Sequence, residues 1–186
     1  MQTFAVYVDN KPGVLNRVSS LIRRRAFNIE SLTVGHTETP GLSRMTIVVD
    51  TDERGARLVE ANLYKLIPVR RVDNITRQPT IPRDLALIKV AATGDGRTQV
   101  MQLVDVYRAR IVDVSPESLI IEATGTEDKI DSLVEVLRPY GVIEMVRTGR
   151  VEMARGGSGS PVNDIAIRRE TGDGKASASD PSLGSV

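Results

Sequence analysis

The chain has 186 residues, 40% of them hydrophobic, enough for one ordinary domain or two small ones with a real core. Its 25 basic and 24 acidic residues nearly cancel, so net charge does not attract it to nucleic acid or an anionic membrane. With no cysteine and one histidine, disulfides, thiolate nucleophiles and the common zinc sites are excluded. No signal-like N-terminus or membrane-length apolar window is present, so we expect a soluble, cytoplasmic protein without a membrane partner.

The first half of the sequence predicts the element order βαββαβ. An apolar stripe through Val14, Val18 and Ile22 has the period of a helix that packs on a sheet. Pro40-Gly41 marks a tight connection between two strands, and Pro68 ends a second helix. The predicted elements are strands at 4–8, 29–34, 45–49 and 69–75, and helices that begin at 14 and near 54.

The same order repeats in the second half. Its predicted elements are strands at 85–92, 111–114, 119–123 and 142–146, with helices over 100–107 and 130–137. Each half is about the size of one split βαβ unit, so we expect an α+β fold of two tandem ferredoxin-like domains. We place the N-terminal domain at 1–77, a linker at 78–83, the C-terminal domain at 84–154 and a flexible, glycine- and serine-rich tail at 155–186.

The junction between the first strand and the first helix carries the strongest functional signal. A helix N-terminus presents unpaired backbone N–H groups and the positive end of the helix dipole, which together favour a carboxylate. Gly13 lets a ligand approach this backbone, and Asn10 offers donors and an acceptor suited to a ligand with an ammonium and a carboxylate on one carbon. An ordinary Asx-turn with a permissive glycine is the alternative for this segment taken alone.

Six segments, spread over both halves, match one family rather than the fold in general. They are Arg25 to Leu32, Ser43 to Ile47, Asn62 to Leu66, Leu87 to Val90, Tyr107 to Leu119 and Glu122 to Gly125. Through them the chain, from Thr3 to Arg155, resembles the regulatory small subunit of acetohydroxyacid synthase, also called acetolactate synthase. Taken alone, Asn28 in the first of these segments predicts no more than a residue in the left-handed turn that ends a helix, which is common for asparagine.

The resemblance implies an N-terminal ACT domain that senses valine, a C-terminal ACT-like domain and no catalytic residues in this chain. It implies a role in branched-chain amino acid biosynthesis, where the small subunit activates a catalytic large subunit and confers feedback inhibition. Thiamine diphosphate, Mg²⁺ and FAD then belong to the large subunit, and this chain holds no cofactor or metal. The resemblance assigns the effector to Asn10, Gly13, Val14, Leu15, Asn28 and Ile29. Lys11-Pro12 departs from the acidic or small pair of the family, which bears on effector affinity or choice.

The two asparagines cannot bind one amino acid within a single domain. Asn10 precedes the first helix and Asn28 follows it, so they lie about 20 Å apart at ~1.5 Å per helical residue. If two chains pair their second strands in antiparallel fashion, Asn10 of one chain faces Asn28 of the other, and the edge strands are protected. We therefore predict a homodimer through the N-terminal domains, with two equivalent effector sites that each use both chains.

The second half lacks this constellation. The matching junction, Thr93 to Arg97, contains glycines but no equivalent asparagine, and Asp95 would repel a carboxylate. A phosphate-binding loop at Gly94 to Gly96 would need a lysine and further glycines. We expect this domain to be structural or a docking surface.

Three other functions are alternatives to a regulatory small subunit. An RNA-recognition domain needs aromatic residues on its central strands, and Met45 to Val49 has none, so no nucleic-acid partner is expected. For catalysis, His36 is expected on a surface loop, and Glu30 and Asp50 form no acid–base pair. A stand-alone ACT-type amino-acid sensor that regulates another enzyme or transcription is the alternative. The sequence does not separate valine from leucine or isoleucine, because one methylene in an apolar pocket changes binding by only about 1 to 3 kcal/mol.

Overall fold

The N-terminal half of the computed structural model, which describes residues 1–156, has the predicted βαββαβ order. Its elements are β1 (Gln2–Asp9), α1 (Val14–Arg24), β2 (Asn28–His36), β3 (Leu42–Asp50), α2 (Glu53–Leu63) and β4 (Val69–Asn74). The strands form an antiparallel sheet in the order β2-β3-β1-β4. The strand that follows α1 therefore lies at one edge of the sheet.

The apolar stripe of α1 covers one face of this sheet. Val18 and Ile22 are fully buried against Phe4 and Val6 of β1, as the helical period predicted. The second helix begins at a side-chain cap, since Asp52 accepts a hydrogen bond from Gly55 N at 2.7 Å. The helices thus cover one face and leave the other, called the open face here, without a helix of this half.

The C-terminal half repeats the arrangement. Its elements are β5 (Thr80–Ala91), α3 (Gly94–Val106), β6 (Arg110–Val114), β7 (Ser118–Gly125), α4 (Glu127–Leu137), a short 3₁₀ turn (Arg138–Tyr140), β8 (Val142–Arg147) and β9 (Val151–Ala154). The main sheet has the order β6-β7-β5-β8, and Ile88, Ile121 and Leu133 are fully buried between it and its helices. The prediction of a tandem α+β fold of two ferredoxin-like units is confirmed.

The strand β5 starts well before its predicted beginning, and the strand β9 was not predicted. β5 was expected to begin at Leu85 but begins at Thr80, because its first four residues pair with β9, from Thr80 opposite Ala154 to Arg83 opposite Val151. The expected linker, 78–83, thus contributes four residues to a strand. A short segment adopts this conformation only because a partner strand lies beside it, and that partner is about 70 residues away in sequence.

The β5–β9 ribbon lies against the open face of the N-terminal sheet. Arg44 on β3 donates from Nη2 to the carbonyl of Glu152 on β9 at 2.5 Å. Residues 1–155 accordingly form one compact unit. Of the expected flexible tail, 155–186, all but Arg155 and Gly156 lies outside the described residues.

Candidate functional site

The N-terminus of α1 opens onto free space. Gly13 caps the helix with φ +80°, in the left-handed region that favours glycine, and a Cβ placed there would meet no atom within 4 Å. Among the described residues, no side chain caps this helix end, and its first turn has no acidic residue. Val14 N donates to Lys11 O at 3.4 Å, so among the described residues the amides of Gly13 and Leu15, at the positive end of the helix dipole, are those left for a ligand carboxylate.

A buried ion pair holds this junction in place. Asp9 is 5% exposed, and Arg70 on β4 contacts both of its carboxylate oxygens, at 2.6 and 2.8 Å. The hydrogen bond from Arg70 is the largest cause that lowers the pKa of Asp9, and Lys11 at 3.2 Å adds to it. Backbone bonds from Asp9 N to Pro68 O (2.8 Å) and from Asn10 N to Gly41 O (2.9 Å) complete the support. This role of Asp9 was not predicted, because its signal in the sequence is no more than an acidic residue at a strand end.

Asn10 lies beside the end of β2. Its Nδ2 is 3.4 Å from Nδ1 of His36, and both side chains are exposed. The single histidine is the last residue of β2, whereas the sequence suggested a loop. Its place next to a predicted site residue was not foreseen, because it depends on how β1 and β2 are arranged around β3.

The two apolar residues that open α1 have different surroundings. Val14 is buried in the N-terminal core at 5% exposure, whereas Leu15 is 45% exposed. Val14 therefore offers no side chain to a ligand, and its amide makes a long bond of 3.4 Å to Lys11 O. Leu15 can offer both its amide and its side chain.

The other predicted residues line a groove at the far end of α1. Asn28 donates from Nδ2 to Glu30 Oε1, and Ile29 is half-buried against the N-terminal core. They belong to an open groove of about 610 Å³ along α1 and the start of β2. The groove is lined by Asn16, Ser19, Ser20, Arg23, Ala26, Phe27, Asn28 and Ile29. The four polar residues of α1 were not predicted to line this groove. Their spacing, which places them on one face of the helix, could have indicated it.

Within one chain, Asn10 and Asn28 stay apart. Asn28 is the first residue of β2 and pairs with Asp50, whereas Asn10 lies beside His36, the last residue of the strand. Nine strand residues span about 25 Å at ~3.3 Å per residue, so one amino acid cannot touch both asparagines of a protomer. Because β2 is the edge strand of its sheet, its outer edge is open to another chain.

Other kinds of site find little support in the part of the chain described. Within residues 1–156, no cluster of three or more His, Asp or Glu side chains is arranged to hold a metal ion. In the same residues, no helix is both long and apolar enough to cross a membrane. Two split βαβ units, one with an open helix N-terminus beside an edge strand, define the class of tandem ACT-type proteins.

Comparisons with known proteins identify the family. A family model described as "AHAS small subunit-like ACT domain" matches residues 4–71, and one described as "Small subunit of acetolactate synthase" matches residues 83–156. The chain belongs to the family of acetolactate synthase small subunits, as its sequence resemblance indicated.

The individual relatives agree. The "Probable acetolactate synthase small subunit" of Archaeoglobus fulgidus is 52% identical over 154 residues, which are 83% of this chain and 96% of the relative. The acetolactate synthase small subunit of Mycolicibacterium smegmatis is 48% identical over 157 residues, 84% of this chain and 92% of that protein. The crystal structure of the Thermotoga maritima small subunit superposes with a TM-score of 0.79 at 40% identity, covering 83% of this chain and 97% of that one.

Proposed function

We propose that this chain is the regulatory subunit of an acetolactate synthase and binds valine, or the related leucine or isoleucine, between two copies of itself. The main support for a site shared between two chains is that Asn10 and Asn28 lie at opposite ends of edge strand β2. Family membership supports the regulatory role, because the names of the relatives describe small subunits and so imply a large one.

Antiparallel pairing of β2 with the β2 of a second chain would assemble the site. The end of β2 that carries His36 and adjoins Asn10 would meet the start of the partner's strand, and with it the partner's Asn28. The pairing would also satisfy the free backbone groups of the edge strand. Two-fold symmetry makes two such sites per dimer.

The chemistry of the site suits a zwitterion with an apolar side chain. The amides of residues 13–15, at the positive end of α1, would bind the carboxylate, with Val14 N giving up its long bond to Lys11 O. Asn10 and the partner's Asn28 would bind the ammonium through their amide oxygens. Leu15 of one chain and the partner's Ile29 would contact the branched side chain.

Catalysis is assigned to the large subunit, together with thiamine diphosphate, Mg²⁺ and FAD. This chain would act by binding that subunit and changing its activity when valine is bound. Feedback inhibition then follows if valine binds more tightly to the less active arrangement of the complex. Discrimination among valine, leucine and isoleucine stays modest, since it depends on one methylene in an apolar pocket.

A calorimetric titration with valine, leucine and isoleucine tests this proposal on the full chain and on Asn28→Ala. We expect one ligand per protomer for at least one of the three amino acids, and a large loss of affinity in the variant. Light scattering would report the dimer in parallel. Binding to a monomer, or unchanged binding by Asn28→Ala, would refute the shared site; no binding of any of the three would favour a different sensor.

A further inference from the structure

The edge strand β2 contacts the C-terminal half at the turn that joins β8 to β9. We call residues 148–150, which join β8 to β9, the bridging turn. Thr33 Oγ1 on β2 donates to Thr148 O at 3.2 Å and lies 3.4 Å from Arg150 O. Arg150 N donates to Ser31 Oγ at 3.1 Å. Both hydroxyls are on the open face of the N-terminal sheet, opposite the side of β2 that packs on the core.

The approach of the turn to β2 is close. Gly149 has φ +80°, and a Cβ built on it would lie 2.5 Å from Ser31 Oγ. The backbone conformation favours a glycine here, and a Cβ would displace the Ser31 hydroxyl from its bond with Arg150 N. The turn rests directly on the strand that carries Asn28 at one end and His36 at the other.

The guanidinium of Arg150 extends this contact to three elements. Its Nη2 donates to Oε2 of Glu127, the first residue of α4, at 2.7 Å. Its Nη1 lies 3.5 Å from Thr3 Oγ1 on β1 and 3.6 Å from Oε2 of Glu152 on β9. The side chains of Arg150 and Glu152 are 27% and 9% exposed, so this pair is less screened than a surface pair, whereas Glu127 is 42% exposed.

A second arginine just before the turn also reaches α4. Arg147 donates from Nε to buried Asp84 at 2.7 Å and from Nη1 to Asp131 on α4 at 2.6 Å. The bridging turn is thus tied to β2 on one side and to α4 on the other. A shift of β2 cannot leave both sets of contacts unchanged.

The pairing of Arg150 with Glu152 is incomplete. Within residues 1–156, Arg150 Nε and Glu152 Oε2 are buried and have no hydrogen-bond partner. The guanidinium still bonds Glu127 and the carboxylate still accepts from Thr80, but one buried atom of each lacks a partner, which is costly, so the energy of this pair depends on the position of the turn. Such a contact responds to the position of the strand beneath it.

We infer that the bridging turn couples effector binding at β2 to helix α4, and that Arg150 is the positioning residue of this coupling. The inference rests on the proposed function, because it needs a ligand at the ends of β2. Coupling is reciprocal: if valine at β2 changes α4, then disrupting Arg150 changes the affinity for valine. The C-terminal half is then part of the response to the effector.

Hydrogen exchange of the full chain, with and without saturating L-valine, tests the coupling. In the wild type we expect valine to change exchange both in β2 and in α4. In Arg150→Ala and in Thr33→Val the change in β2 should persist while that in α4 is lost. Thr33→Val keeps the shape and the strand preference of the residue, so it separates the hydroxyl contact from folding.

Two variants serve as matched controls. Arg110→Ala removes an exposed arginine that makes no ion pair within residues 1–156, and Thr124→Val removes an exposed strand hydroxyl without a hydrogen bond in the same range. Both should respond to valine as the wild type does. Arg150→Ala should also weaken valine binding by about fivefold or more, the lower end of usual allosteric coupling. Arg150→Lys, which keeps the charge, should recover part of that loss.

The outcomes separate the two proposals. If the wild type binds none of valine, leucine and isoleucine, the proposed function fails and the coupling with it. If the wild type binds valine but α4 does not respond, or the Arg150 and Thr33 variants transmit the change fully, only the coupling is overturned. Loss of the α4 response in both variants, with the controls unaffected, supports it.

Discussion

Asn10 Nδ2 lies 3.4 Å from His36 Nδ1, so the residue before α1 adjoins the last residue of β2. Asn28, at the first residue of β2, is a full strand length away. A site that uses both asparagines must therefore draw them from different chains.

Replacing Gly13 by aspartate should remove valine binding. The aspartate would place a negative charge in front of the amides that we assign to the carboxylate, and the open space there accepts its side chain. Gly13→Asn is the matched control, since asparagine has the same shape and also tolerates a left-handed backbone. Calorimetry should show affinity for valine about tenfold or more lower for aspartate than for asparagine. Equal affinities of the two variants would show that the carboxylate of valine does not bind at the N-terminus of α1.

Mixing two inactive variants should restore part of the binding. In a dimer of Gly13→Asp with Asn28→Ala, one site carries both changes and the other carries neither. Equal mixing after refolding gives half mixed dimers, so about a quarter of all sites should bind valine. Each variant alone, taken through the same refolding, is the control. A mixture as inactive as its components would indicate sites built within single chains.

Replacing Arg70 by alanine should destabilise the protein by about 1 to 3 kcal/mol at neutral pH, because it leaves the buried Asp9 carboxylate without its main partner. The pKa of Asp9 is lowered in the folded state, so this stabilisation is complete above the carboxyl's ordinary value of 3.8. It is lost as the pH falls through the lower folded pKa. Urea unfolding at several pH values should show the difference from wild type shrinking in acid. Arg110→Ala, the control, should differ little from wild type at any pH.

The βαββαβ order, the starts of α1 and α2 and most core residues could be predicted from the sequence, because periodicity and turn residues are local signals. The helix α3 begins at Gly94, six residues before the first apolar residue that marked it. The separation of Asn10 from Asn28 could be predicted too, since helix length alone sets it. The first four residues of β5, the strand β9 and the bridging turn could not. Each depends on how two halves, distant in sequence, dock onto one another. His36 was missed beside Asn10 for the same reason.

A core truncation in either half should lower the stability of both halves, because we expect them to unfold in a single cooperative transition. Leu63 and Leu133 are fully buried in the two separate cores, and Leu→Ala at either should cost about 2 to 5 kcal/mol. Because residues 1–155 form one compact unit, amides of both sheets should lose protection together in each variant. Native-state hydrogen exchange measures this directly. Loss of protection confined to the mutated half would show that the two cores unfold independently.

The strand β5 runs without interruption from the ribbon on the N-terminal sheet into the centre of the C-terminal sheet. If the two halves were separated by a break after residue 77, the N-terminal sheet would lose the β5–β9 ribbon from its open face. The C-terminal half would keep that ribbon without the sheet on which it packs. The two halves have the same order of elements, but no cut between them separates their contacts cleanly, because β5 contributes to both. Shuffling one of them into another protein would require carrying β9 along.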